Sequence, residues 1–565
     1  MKIVENIAQI IYDSLSQGMT IEEITSLIEK PKNLENGDYA FPVFKIAKHV
    51  KRNPNEIATE LAFRIDLTKF DKIEAKGPYV NFYLKKDRIA SQLITEINNS
   101  SRYGFNEVGR DKTILIDLSS PNIAKPMSMG HLRSTVIGNA IANLATANGY
   151  KTVKINHLGD WGTQFGLMIA AYKKWGNNKS IENYSIDELV KLYVDINNAA
   201  KENPKIAEEG RAWFKKLEEN DDEAISLWTI IRKQSLIEFF EIYDRLGISF
   251  DSTNGEAFYN DKMQNIVTLL ENKKLLTKSQ GAEIVDLPKL LPDSNLPIAM
   301  IKRSDGATLY ITRDLAAAVY RKHEYEFDKA FYVVGAEQKT HFLQLKAILK
   351  LADFDWSDDI EHISFGLITL GGSKMSSRKG NTIALVDVLN TAHNLALQQI
   401  NIKNPDLLNA NDIAEEVGVG AVIFNDLMND RKLSIDFNLD DIVRFEGDTG
   451  PYVQYTNARI HSILKKSTGY QKNDNNVLND DKTWPIISKM LDFPNVIKKA
   501  FDQRDPSQIA KYILQLSREF NSYYANTKIL VEDENLNARL GLITSVSKII
   551  ETSLKLLGIK APNEM

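Results

Sequence analysis

Residues 113–135, TILIDLSSPNIAKPMSMGHLRST, restrict the possible folds more than any other stretch of the chain. The apolar run up to Leu118 stops at Ser-Ser-Pro-Asn, as a buried strand does when it feeds a loop. Leu132, Val136 and Ile137 then set a helical rhythm behind Gly130-His131. Comparable runs (KTVKINHL, KAFYVVGA, HISFGLITL) alternate with helical segments from 112 to about 400, which predicts a parallel sheet with crossovers. A loop, a glycine and a helix start behind the first strand of such a sheet suit an anion, because free N–H groups and the helix dipole both favour negative charge there. Taken alone, Gly130 is a turn glycine and His131 a hydrogen-bonded structural residue.

The chain divides around this region. Ile3, Val4, Ile7, Ile10 and Ile11 keep the spacing of an amphipathic helix, and GDYAFPVF and KGPYVNFYL put turn residues beside short aromatic and β-branched runs. Residues 1–105 are therefore expected to form a small α/β module. Residues 106–405 hold the sheet, with a charged helical insertion at about 170–285, and residues 406–565, where strand signals fade, form a helix bundle. The chain has no cysteine among 565 residues, which excludes disulfide frameworks, thiolate zinc sites, iron–sulfur clusters and a cysteine nucleophile. With only 8 histidines left as strong nitrogen ligands, a structural zinc is not expected. No apolar run reaches the roughly 18 residues of a membrane helix. Glu5 and Asp13 interrupt the first apolar stretch, unlike a signal peptide, so a cytoplasmic protein is expected. With 70 basic and 75 acidic residues the net charge of −5 carries no global nucleic-acid footprint, which leaves local patches as the relevant ones.

A second motif, GGSKMSSRKGNTI (371–383), combines glycines, small hydroxyl residues and three cations, the makings of a loop that closes over a triphosphate. In isolation such a charge run is a solvated surface. A third, TLYITRDLAAAVY, sets Tyr310 and Asp314 four residues apart on one helix face. From spacing alone Asp314 caps or pairs at a helix start and Tyr310 joins a core. VVGAEQKTHF (333–342) holds Gln338 and His341, and INHLGDWGTQFG (155–166) suggests a loop lining a cleft, with no definite chemical role.

Together these motifs resemble the signatures of class I aminoacyl-tRNA synthetases, in the form used by the arginyl family: SPN(I/V)AKP-x-H-x-GH-LRS, KMS-x-RKGN and Y-x-x-RD. Ser128 stands where the family's first histidine is usual, Ser377 where a second lysine is usual, and Asp117 where glutamate is more frequent. The resemblance implies an α/β fold, with a Rossmann-like parallel-sheet catalytic domain, a small α/β N-terminal domain and a C-terminal α-helical bundle. It implies ATP-dependent activation of L-arginine to arginyl-adenylate and transfer to the 3′-terminal ribose of tRNA(Arg), with Mg2+, without zinc, and with tRNA present before activation. The implied catalytic residues are Lys125, Ser128, Gly130, His131, Lys374 and Ser376, with Lys125 compensating for Ser377 on the leaving pyrophosphate. His341 and Met375 join Ser128, Gly130, His131, Lys374 and Ser376 at ATP. Asp117, Asn122, Tyr310, Asp314 and Gln338 line the implied arginine pocket. FEGDTGPYVQYTNARIHSI (445–463) resembles the opening of the family's anticodon-binding domain, with Gln454, Tyr455 and Arg459 toward RNA. Tyr455 is equally well read as bundle core. KGPYVNFYL resembles the N-terminal domain that meets the outer corner of tRNA, through Tyr79 and Asn81.

Three rivals remain at this level. The cysteinyl enzyme needs a thiolate-bound zinc that this chain cannot build. A catalytically silent RNA-binding paralogue draws support only from Ser128 and Ser377. A small nucleotidyltransferase leaves the C-terminal helices without purpose. Length and a full set of modules point to a monomer without a membrane partner.

Overall fold

The computed structural model describes residues 3–15, 19–31, 33–176, 180–304, 309–370, 373–374, 384–467, 478 and 482–565. Two compact units emerge. One comprises Met1–Tyr103, Ile463–Phe493 and Arg518–Ile549; the other comprises Gly104–Ser462, Pro494–Ser517 and Ile550–Met565.

The first unit is built on a three-stranded antiparallel sheet in which Tyr79–Leu84 lies between Tyr39–Pro42 and Phe70–Lys76. The glycine-rich turns read from GDYAF and KGPYV sit at its strand ends. Helix Ile21–Leu27 starts at a reciprocal cap: Glu23 N–H donates to Thr20 Oγ1 (3.2 Å) and Thr20 N–H to Glu23 Oε2 (3.0 Å). Later helices complete the unit. Trp484 Nε1 donates to Asp38 Oδ1 (3.2 Å) and Lys548 Nζ to Asn98 O (2.6 Å).

The second unit carries a four-stranded, all-parallel sheet of β1 (Thr113–Asp117), β2 (Lys151–Ile155), β3 (Lys329–Gly335) and β4 (Ile360–Phe365), in the order β4-β3-β1-β2. The connections leave β1 in opposite directions, so the strand order reverses between β1 and β3. The carboxyl ends of these two strands are where an open α/β sheet offers a crevice. Ile114, Leu115 and Ile116 are fully buried, as a strand covered on both faces requires. Helices α1 (Met129–Ala147), α4 (Tyr310–Tyr325) and α5 (Lys339–Leu351) pack about the sheet, α2 (Thr163–Trp175) and α3 (Asp222–Leu246) pack with each other in the insertion, and α6 (Leu385–Lys403), α7 (Ala410–Leu427) and α8 (Gly450–Lys466) follow. Most residues of α1 are buried, on every face, and it accordingly lacks the one-sided apolar stripe of a surface helix.

Two expectations change. HISFGLITL is not one strand: β4 stops at Phe365 and a second strand, Ile368–Leu370, pairs with Ser373–Lys374 and Ile435–Asp436. The helical character expected to about 285 ends at Asn272, after which Leu276–Ser279 and Ala282–Val285 form a hairpin turned at Gln280-Gly281. Both turn residues have positive φ, the geometry that suits a tight hairpin. Among the described residues, no helix is long and apolar enough to cross a membrane.

Candidate active site

The loop leaving β1 is strained and over-determined. Ser119, Ser120 and Ala124 have φ of +73°, +52° and +61°, a left-handed conformation that L residues rarely adopt. A polar lattice holds it. Ser119 N–H donates to Ser134 Oγ (2.9 Å), Thr135 Oγ1 to Ser119 Oγ (2.8 Å), and Ser120 N–H to Asn156 Oδ1 (3.1 Å). Helix α3 supplies the rest: Tyr243 OH bonds Ser119 Oγ (2.7 Å) and accepts from Asn156 Nδ2 (3.0 Å), while Ser235 Oγ accepts from Ala124 N–H (2.9 Å). Part of the insertion, whose role the sequence does not reveal, thus props the loop open. Strain sustained in this way is typical of ligand clamps.

At the start of α1, Ser128 N–H donates to His131 Nδ1 (3.0 Å). An accepting Nδ1 places the ring proton on Nε2, which makes the imidazole a neutral donor. Burial pushes His131 down to about 4, and the Lys125 charge adds to the effect. Gly130 is exposed one residue before it. The Lys125 ammonium lies 5.1 Å from the centre of the Tyr193 ring. The structure therefore brings Lys125, Ser128, Gly130 and His131 together. Ala384 forms a β-bridge with Ser128, and Leu385 N–H donates to Met127 O (2.8 Å), so one flank of the second motif abuts the first. On the other flank, the backbone of Lys374 sits in the short strand with Ser373. Met375 and Ser376 lie outside the described residues, as does the side chain of Lys374.

Asp314, one turn into α4, neither caps the helix nor faces solvent alone. His341 Nε2 lies 2.6 Å from its Oδ2 and His157 Nε2 3.9 Å from its Oδ1. Burial by itself would raise this carboxyl, but the His341 hydrogen bond and the charges of His341, His157 and Arg321 hold it below its usual range. His341 is therefore joined to the carboxylate rather than standing apart from it. Tyr310 opens α4 and is 66% exposed, so it is not core. Gln338, at the end of the short turn that follows β3, is also exposed. Asn122 is exposed, and its amide packs on Gly159, where an added Cβ would lie 2.1 Å from Asn122 Oδ1 and would displace that side chain.

Asp117 requires a correction. It is 4% exposed, its Oδ2 takes Arg321 Nη1 at 2.7 Å, and its Oδ1 accepts from Ser120 Oγ at 3.0 Å. The carboxylate is thus occupied from within and offers no face to a ligand. Sequence reasoning missed Arg321, His157 and Glu256. The first two lie in quoted or adjacent stretches, but nothing in their spacing indicates the partner. Burial lifts Glu256 to about 7, although Arg313 Nη1 is 3.3 Å away and favours the charged form. Beside α4 lies a cavity of about 830 Å³ lined by Trp161, Trp228, Phe258, Tyr310 and Arg313. Asp160 forms its wall, accepting from Arg232 Nε and Ala257 N–H, each at 2.9 Å.

Of the residues expected to meet RNA, two are corrected. Gln454 is 0% exposed, its amide donating to Glu416 O (3.1 Å) and Lys560 O (2.8 Å). Asn81 is 2% exposed in the central strand of its sheet. Neither has a face for a nucleotide. Tyr455 is half-buried, its ring centre 4.7 Å from Lys403 Nζ and 4.9 Å from the Arg459 guanidinium carbon. Tyr79 is half-buried and meets the exposed Phe44 edge-on at 5.8 Å. Among the described residues, no group of three or more His, Asp or Glu side chains is placed to hold a metal ion.

Three family models match in succession: the arginyl tRNA synthetase N terminal domain at residues 2–84, the catalytic domain of the class I tRNA synthetases (R) at 93–439, and the DALR anticodon binding domain at 453–565. An arginine–tRNA ligase of Oenococcus oeni is 58% identical over 567 residues, covering 100% of both chains. One of Enterococcus faecalis is 53% identical, covering 99% of each. Among solved structures, the arginyl-tRNA synthetase of Thermus thermophilus superposes with a TM-score of 0.83 at 24% identity, over 100% of this chain and 99% of that one. That of Plasmodium falciparum gives 0.79 at 25% identity, again over 100% and 99%. The sheet order, the two signature segments beside one another and the full-length identity agree, and the chain belongs to the arginyl-tRNA synthetases, class I arginine–tRNA ligases.

Proposed function

We propose that arginine activation takes place at the carboxyl ends of β1 and β3, with the following division of labour. Asp314, kept ionised beside His157 and His341, takes the substrate guanidinium; this carboxylate is the observation that carries the assignment. A lysine substrate, a point charge without the planar fork, would leave acceptors unsatisfied. Tyr310 and Gln338 form the exposed rim, and Asn122 holds the reacting end. Asp117 acts one step back, fixing Arg321. The α-carboxylate attacks the α-phosphorus of ATP and pyrophosphate departs, so catalysis is alignment and neutralisation of charge. His131 donates through Nε2–H, Ser128 and Gly130 offer the helix start, and Lys125 meets the leaving phosphates in place of a lysine at Ser377. Lys374, Met375 and Ser376 close from the other side. The terminal ribose hydroxyl of tRNA then attacks the activated carbonyl and AMP leaves.

Mg2+ comes with ATP, and the reading includes no zinc, because a chain without cysteine has no thiolate to hold one. Tyr455, Arg459 and Tyr79 meet tRNA(Arg), and activation waits for that tRNA. The working modules are three, 1–105, 106–405 and 406–565; the order of the three family models supports them, although the catalytic model runs on to residue 439. The protein works as a cytoplasmic monomer. The test is charging of total tRNA with each of the twenty amino acids, together with ATP–pyrophosphate exchange with and without tRNA. Product with arginine alone, and exchange only when tRNA is added, is the expected result. Charging with another amino acid would remove Asp314 from its role.

A further inference from the structure

Arg133 has no part in the roles above, yet it is among the largest fully buried side chains, 1% exposed. It follows His131 by two residues on α1, and because two residues turn a helix by about 200° it faces away from the phosphate side. Its Nη1 donates to Gly366 O (2.9 Å) and Leu433 O (2.8 Å), its Nη2 to Arg431 O (3.3 Å), and its Nε lies 3.1 Å from Asp426 Oδ2. These carbonyls belong to two segments that launch one small sheet. Gly366 stands between β4 and Ile368–Leu370, and Arg431–Leu433 leads into Ile435–Asp436, its parallel partner. The segments also close on each other: Gly366 N–H donates to Arg431 O (2.8 Å), and a Cβ on Gly366 would lie 2.5 Å from Leu433 O. The third strand of that sheet ends at Lys374.

Asp426, on α7, is 3% exposed, and neither of its oxygens has a hydrogen-bond partner beyond the Arg133 ion pair among the described residues. A buried carboxylate is costly, and one with a single partner serves that partner. A guanidinium can reach three carbonyls and a carboxylate at once because its donors form a rigid fork; an ammonium cannot.

We propose that Arg133, held by Asp426, is a positioning residue for arginine activation: it ties the helix start that carries His131 to the sheet that carries Lys374, so that both reach the same triphosphate. The inference rests on the adenylate-forming reading above. It extends that reading to a pair that touches neither substrate.

The experiment uses the full chain and compares wild type, Arg133→Lys, Asp426→Asn and the double variant. ATP–pyrophosphate exchange with saturating tRNA gives kcat and KM, and active-site titration gives turnover per competent site. The expected result is a fall in kcat per titrated site of at least about tenfold in Arg133→Lys, with KM for arginine changed by less than about twofold. The double variant should lose no more than the worse single one, because both changes break one link. Asp426→Asn keeps shape and volume and carries the test should Arg133→Lys fail to fold. Unchanged turnover per titrated site in Asp426→Asn, with losses confined to melting temperature or active fraction, would overturn the proposal. Absence of arginine-dependent exchange in the wild type would instead strike the functional reading beneath it.

Discussion

A neutral imidazole that donates from Nε2 gives this site an unusual pH behaviour at the level of one residue. His131 has a folded pKa of about 4, below its ordinary 6.5. The unfolded chain therefore binds more protons at this position between those values, and stability rises with pH through that window and is lost as pH falls below about 6.5, by on the order of 3 kcal/mol. The exchange rate should accordingly show no ionisation of His131 between pH 6 and 8, and a thermal-melt series from pH 4 to 7 should show the stability slope, diminished in His131→Gln. Asp314 supports a second expectation. Asp314→Asn leaves the substrate guanidinium without its counter-charge, a loss of about 3–5 kcal/mol. Steady-state kinetics should show kcat/KM for arginine down by two to three and a half orders of magnitude and KM for ATP within about twofold. Asp314 stood out in the sequence only through the resemblance to Y-x-x-RD, since its spacing from Tyr310 reads equally as a helix-start residue. Its two histidines were not legible as its partners, since His157 and His341 come from other elements and no local spacing encodes them. Asn81 and Gln454 misled for the opposite reason, since a polar side chain reads as exposed: Gln454 is buried against two carbonyls and Asn81 sits in the covered central strand of its sheet.

Among the elements, α3 and α7 do work that hydropathy does not announce. Helix α3 supplies Ser235 and Tyr243 to the strained loop, and Arg245 at its end grips Glu415 on α7 (Nε to Oε1, 2.7 Å). Glu415 and Asp426 are eleven residues apart, close to three full turns, so one face of α7 receives an arginine at each end. Tyr243→Phe removes the hydroxyl shared by Ser119 and Asn156. It should lower stability by about 1–3 kcal/mol and raise KM for ATP, with calorimetry and exchange kinetics as the two readouts. Gln454→Leu leaves two carbonyls of the bundle without a donor and should destabilise by a similar amount, about 1–3 kcal/mol, while Kd for tRNA stays within about threefold. Arg459→Ala should show the reverse pattern. The buried strands β1, β3 and β4 were legible because a parallel sheet covered on both faces needs continuous apolar runs. The break after Phe365 was hidden in one such run, because Gly366 is required by Leu433 O, a contact far away in sequence.

For the whole molecule, the alternation of strand and helix announced the sheet, and the fading of strand signals announced the helical end. Periodicity shows which face of a helix is apolar but not what that face meets, so nothing indicated that Ile463–Phe493 and Arg518–Ile549 belong to the same compact unit as Met1–Tyr103. The sheet order β4-β3-β1-β2 also has a consequence for biosynthesis. β1 pairs with β2 almost as soon as both leave the ribosome, but its other neighbour, β3, begins at Lys329, about 200 residues after β1 ends. At elongation rates of about 5–20 residues per second, that edge waits roughly 10–40 s. During that interval the nascent chain presents an unpaired apolar strand, the template on which edge-to-edge aggregation starts.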